Sequence, residues 1–168
     1  MLWHALRSGD LGSSFGGPVA KFEANLAAID LLRRLEADNH PPSPEQAIVL
    51  RRFTGWGGLP ASFNLEGDNG SWLTRAQQLR HLLNDDEYAS ARASVNNSHY
   101  TDIHVIEALW HAIERFGFTG GRILEPSAGI GHFIGAMPRT IAEHSNVTTI
   151  EIDQLSGRML KALYAPAG

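Results

Sequence analysis

The chain of 168 residues contains no cysteine, so it has neither disulfides nor a thiolate zinc site, which suits a cytoplasmic protein. It has no apolar run near the length needed to cross a bilayer, and membrane insertion is not expected. The opening Met1-Leu2-Trp3-His4-Ala5-Leu6-Arg7 shows no basic region followed by an apolar stretch and cleavage site, hence no secretory signal. There is no dense basic run and the formal charge is −4, so nothing draws the chain as a whole toward nucleic acid. DNA binding would need a local basic face or another part of a larger protein. What is present is a globular composition, 43% hydrophobic, in a chain long enough to bury a real core.

The patterning divides the chain in three. Residues 1–20 are rich in Gly and Ser and read as a flexible arm. Residues 21–95 read as a helical section. Phe22, Leu26, Ile29 and Leu32 share one helical face, and a helix from there ends near Asp38-Asn39. Ser43-Pro44-Glu45-Gln46 supplies an N-cap, a first-turn proline and a capping-box glutamine for a second helix running to about Phe53. Thr54-Gly55-Trp56-Gly57-Gly58 stops it; Trp56 is either a base-stacking side chain on a functional loop or a plug in the core. Glu66 to Gly70 is a turn, and two short helices follow, separated near Asn84-Asp85.

Residues 96–168 carry the chemistry. A helix capped by Thr101 or Asp102 places Ile106, Leu109, Trp110, Ile113 and Phe116 at helical spacing. After Gly117 and Gly120-Gly121 comes the stretch Ile123-Leu124-Glu125-Pro126-Ser127-Ala128-Gly129-Ile130-Gly131-His132-Phe133, a strand, a glycine turn and a helix start in succession. Glu151 stands twenty positions after Gly131, at the end of the apolar run Val147-Thr148-Thr149-Ile150, where an acid can take both hydroxyls of a ribose. Ile134 occupies the place of the third glycine of a dinucleotide fingerprint, and no Gly-Lys-Ser or Gly-Lys-Thr of a P-loop follows. Glu125 ahead of the turn favours a ligand with a cationic group over a pyrophosphate.

The segment from Leu124 to Phe133 resembles the first motif of S-adenosylmethionine-dependent methyltransferases, in the acid-Pro-x-x-Gly-x-Gly-x-Phe form of adenine-specific DNA methylases. Thr149-Ile150-Glu151-Ile152-Asp153 is similar to the second motif, and His99-Tyr100-Thr101 resembles the motif that adenine methylases place ahead of the fold. Shorter stretches, among them Phe53 to Gly58 and Glu87 to Arg92, resemble the start of the methylase domain in large methylase-helicase proteins of plasmids, phages and mobile elements. The resemblance implies an α/β class, namely a partial Rossmann-like methyltransferase fold preceded by the helical section. It also implies S-adenosylmethionine as cofactor. Gly129 and Gly131 would give the methionine part access to backbone, Glu125 would face its ammonium, Tyr100 and Thr101 would close that end, and Pro126 and Phe133 would complete the cofactor-binding motif. Glu151 would hold the ribose and Ile152 would flank the adenine.

The Asn- or Asp-Pro-Pro-aromatic tetrad of adenine methylases is missing; His40-Pro41-Pro42-Ser43 is the sole Pro-Pro and has neither amide nor aromatic. The expectation is therefore the cofactor-binding front of a DNA adenine methyltransferase, with no catalytic residue in this chain and no methyl transfer by the chain alone. DNA would be reached through the parent protein, alongside the rest of the methylase or a helicase domain. The alternative is a non-catalytic DNA-binding or assembly module of a mobile-element helicase. Arg33-Arg34, Arg51-Arg52, Arg75, Arg80 and Arg92 could build a phosphate-facing surface or be ordinary helix faces interspersed with acids. Of the eight histidines, His99, His104 and His111 lie closest together but lack further ligands at a metal-site spacing.

Overall fold

The computed structural model describes residues 16–66 and 70–164. Most of the expected arm at 1–20, and the centre of the turn between Glu66 and Gly70, lie outside the described residues. Helix α1, Pro18–Ala37, starts ahead of its first apolar anchor because Gly17 leaves the extended conformation into a proline already set for a helix. It ends where Asn39 turns left-handed at φ 49°, letting the Asn39 and His40 amides reach back to the Glu36 and Leu35 carbonyls. Helix α2, Pro44–Arg51, forms the capping box: the Ser43 amide donates to Gln46 Oε1 at 2.8 Å and the Gln46 amide to Ser43 Oγ at 3.3 Å. Helices α3, Ser71–Leu82, and α4, Asp85–Ala93, are separated at Asn84, which closes a second capping box with Glu87.

These four helices enclose the main core. Trp56 is 3% exposed and meets Phe22, Phe53 and Phe63 edge-on, with ring centroids 6.1, 6.3 and 5.6 Å away. It is a core plug, and edge-to-face contacts of this kind add about 0.5–1.5 kcal/mol each beyond burial. The loop that carries it is held by α1: Asn25, fully buried, donates to the Gly55 carbonyl at 2.6 Å and accepts from the Thr54 amide at 2.9 Å. One turn earlier, Lys21 donates to the Gly57 carbonyl at 2.7 Å.

Helix α5, Ile103–Arg115, is capped by Asp102, whose carboxylate accepts from the His104 amide. Strand β1, Arg122–Glu125, then pairs in parallel with β2, Asn146–Thr149, in the register Ile123 to Val147. Two four-residue helices, α6, His132–Gly135, and α7, Arg139–Ala142, make the crossover, broken by Pro138. Helix α8, Gln154–Tyr164, returns to the first core through Leu155 and Met159. Ile103, Ile106, Trp110 and Ile141 form a smaller cluster, with Ile123 and Val147 against it.

The expected partial Rossmann-like methyltransferase fold is not what the described residues adopt. Helices carry most of them, and the sheet consists of two strands of four residues. The physical reason lies in the apolar spacing, which is helical nearly everywhere; strand-like runs occur only on either side of α6 and α7. Parallel sheets of the α/β class are covered on both faces, yet Leu124 in β1 is 60% exposed. The molecule is a helical assembly bearing a small one-sided parallel ribbon.

Candidate functional site

A cavity of about 460 Å³ opens between the glycine turn and the helical section, within the size of small-molecule sites, roughly 300–1,000 Å³. Of the residues singled out in the sequence, Tyr100, Thr101, Glu125, Gly129, Phe133, Glu151 and Ile152 line it. Pro126 is exposed and outside the lining, and Gly131 faces the other way. At Gly131, φ is 90° and an added Cβ would come within 2.5 Å of Tyr164 and 2.7 Å of Leu160. Its lack of a side chain lets the turn pack on α8.

Tyr100 is the wedge between the two glycine loops. A Cβ on Gly55 would lie 3.0 Å from its ring, and one on Gly129 would lie 3.1 Å away on the side of the turn. Its ring also meets Phe53 at 6.3 Å and His132 at 5.1 Å. The Tyr100 hydroxyl lies 3.5 Å from Ser156 Oγ, whose own proton goes to Asp153 Oδ2 at 2.7 Å, so Tyr100 is the donor. Burial pushes its pKa up, and the nearby Glu151 and Asp153 carboxylates push the same way.

Glu151 is engaged already. Its Oε2 accepts the Gly129 amide at 2.6 Å and its Oε1 accepts the Asp153 amide at 2.8 Å. Each carboxylate oxygen keeps a second lone pair, so accepting ribose hydroxyls remains open to it. Glu125 is less constrained, with one bond of 3.3 Å from the Ser127 amide. His132, buried at the first position of α6, has Nε2 3.1 Å from the Arg51 carbonyl. Burial lowers its pKa to about 4, and the Arg51 cation acts in the same direction.

Sequence reasoning did not find the residues that join this site to the helical section. Asp153 caps α8 and accepts Ser90 Oγ from α4 at 2.9 Å. Arg158 grips Glu36 of α1 through two nitrogens, at 2.7 and 2.6 Å, and Glu87 of α4 at 2.7 Å; Glu87 also takes Arg33 at 2.7 Å. No spacing rule reveals pairs so far apart in the chain. The same pairing answers the question of a basic face: Arg33, Arg34, Arg75 and Arg80 are all in ion pairs and Arg51 is buried. His104 and His111 each sit beside a glutamate of their own helix, and among the described residues no three potential ligands converge on a metal position.

Compared with known proteins, the chain is 30% identical over 142 residues, 84% of its length, to the defence against restriction protein B of Escherichia phage P1. The match spans 5% of that protein's length. No family profile matches the chain, and no solved structure matches it. The expected place among adenine-specific DNA methyltransferases is thereby overturned: the detected relative is a defence-against-restriction protein, not a methyltransferase, and no methyltransferase family matches. Among the described residues, no helix is long and apolar enough to cross a membrane.

Proposed function

We propose that the cavity binds S-adenosylmethionine. The observation that carries this reading is the charge of the lining: three carboxylates, Glu125, Glu151 and Asp153, and no lysine or arginine. An enclosure of that sign repels di- and triphosphates and favours a ligand that combines a nucleoside with cationic sulfonium and ammonium groups. Gly129 permits close approach at the turn, and Glu151 and Glu125 line the cavity from the ends of the two paired strands. When bound, this cofactor supplies a transferable methyl group.

The relative's name adds a setting, defence against restriction; a place in the cytoplasm and DNA as the macromolecule concerned carry over from the reading of the sequence. Four of the seven arginines considered for a phosphate-facing surface are paired with acids and a fifth is buried, which weakens the reading of a cationic face on these residues. DNA contact would therefore fall to other parts of a larger protein.

Titration calorimetry with S-adenosylhomocysteine tests the reading. Saturable binding by the full chain, strongly weakened in Glu151→Ala, supports it. Absence of saturation, or equal affinity for NAD, overturns it.

A further inference from the structure

A smaller cavity, of about 320 Å³, lies against the start of α1 and the loop that follows Trp56. The two cavities share His99 and Tyr100 in their walls, yet their charges are opposite. Three carboxylates and no lysine or arginine line the larger one; Lys21 and His99 line the smaller, which has no carboxylate in its wall.

Lys21 is half-buried there. Its ammonium donates to the Gly57 carbonyl at 2.7 Å, which leaves two N–H groups for another acceptor. Burial holds its pKa below the usual lysine value, and among the described residues no carboxylate acts in the other direction. A cation drawn out of water without a counter-charge is unfavourable, and an anion brought to it offsets that. A second nitrogen reaches the same residue: a Cβ on Gly57 would lie 3.0 Å from His99 Nδ1. Both groups therefore meet at Gly57, on the cavity wall. The loop itself does not depend on Lys21 for its place, because Asn25, one turn further along α1, fastens it with two hydrogen bonds.

We propose that the smaller cavity is a binding site for a phosphate group, with the Lys21 ammonium as charged donor and His99 as a second donor. A phosphate oxygen brings the negative charge that the ammonium lacks and accepts its remaining N–H groups. The volume falls at the lower end of the range for small-molecule sites, roughly 300–1,000 Å³. A free phosphate and a diester of a nucleic-acid strand offer the same chemistry. On a strand, one such contact positions the backbone without holding it alone. The site uses neither Glu125 nor Glu151 and stands apart from the cofactor reading.

The test titrates the full chain, labelled with nitrogen-15, with sodium phosphate at constant ionic strength and follows its amide resonances. Those of Gly57 and Gly58 should move saturably, and that of Gly117, at the end of α5, should stay. Lys21→Gln should weaken binding by about tenfold or more, the loss of a hydrogen bond to a charged group. Lys21→Arg, which keeps the charge, should retain it, and His99→Ala should weaken it by a smaller factor. A second titration uses thymidylyl-(3′,5′)-thymidine, which carries one phosphodiester and no monoester; whichever probe binds more tightly names the source of the phosphate. Absence of saturation with both probes in the wild type overturns the site, and so does a folded Lys21→Gln with unchanged affinity. A loss in Lys21→Arg equal to that in Lys21→Gln overturns the role of the charge, and unchanged affinity in His99→Ala overturns the part given to His99.

Discussion

Around Trp56 the large apolar side chains are closed off: Phe22, Phe53 and Leu50 are buried almost completely, and the loop among them is fastened by Asn25 and Lys21. Around the strands the opposite holds. Leu124, Ile150 and Ile152 are exposed, and along α5 and its C-cap a second stripe of Val105, Leu109 and Phe116 is exposed beside the buried Ile106 and Trp110. Buried apolar surface is what stabilises a fold, at roughly 25 cal/mol per Å². The helical section therefore holds most of the stability, and the ribbon with its glycine turn is carried by it through Tyr100, His132 and Arg158. The cavity is lined from both regions, so a ligand bound there would touch both at once.

The most severe way to break this contrast is Trp56→Ala. It should cost about 3–5 kcal/mol in urea unfolding, the range for large aromatic truncations, and should remove the cavity together with the core. Gly57→Ala strikes the seam between the regions. A Cβ there would sit 2.0 Å from the Ser98 carbonyl oxygen, so backbone must move, and a loss of about 1–3 kcal/mol is expected in the same assay. Ligand affinity should fall too, since Ser98 lines the cavity.

Glu87→Ala should cost about 1–3 kcal/mol, because two arginines lose a buried partner. Burial alone would raise the Glu87 pKa, but the Asn84 amide and the Arg158 and Arg33 cations outweigh it and leave it below the ordinary value. Its stabilisation is therefore present above the unfolded carboxylate pKa and is lost as pH falls through the depressed one. The slope of stability against pH in strongly acidic solution should flatten in Glu87→Ala. His132 acts in a separate window. Its pKa falls from the usual 6.5 to about 4 on folding, so the unfolded chain takes up the proton first and stability declines as pH drops from 6.5 toward 4. Thermal unfolding at half-unit intervals should show this slope in the wild type and lose it in His132→Gln. The smallest effect belongs to Leu124→Lys on the open ribbon face, within about 0.5 kcal/mol; a loss comparable to that of Trp56→Ala would refute the division of stability drawn above.

Local chemistry was the legible part of the sequence. The capping box at Ser43, the break near Asn84, a cap at Thr101 or Asp102, which the fold gives to Asp102, and the strand-turn-helix at Glu125 to His132 each depend on neighbours a few residues apart, and all are formed. The class of fold was misread because a strand, a glycine turn and an acid after a second strand define a local arrangement, while the number of strands and their covering are properties of the whole chain. Gly131 shows the same limit on the scale of one residue. From the sequence it reads as ligand access like Gly129; in the fold the space it leaves is taken by Tyr164 and Leu160. Asn25, Ser90 and Arg158 carried no signal because their partners lie 30, 63 and 122 positions away.

That last separation has a kinetic consequence. Arg158 closes on Glu36 of the first helix, and Leu155 and Met159 beside it fill the same core. The first helix cannot complete its packing until a segment 122 positions later has been made and has returned to it. Closing so large a loop precedes the contacts that reward it, which slows folding relative to a bundle of sequential neighbours. During synthesis, α1 and α2 would wait without the helix that packs against both of them, α8.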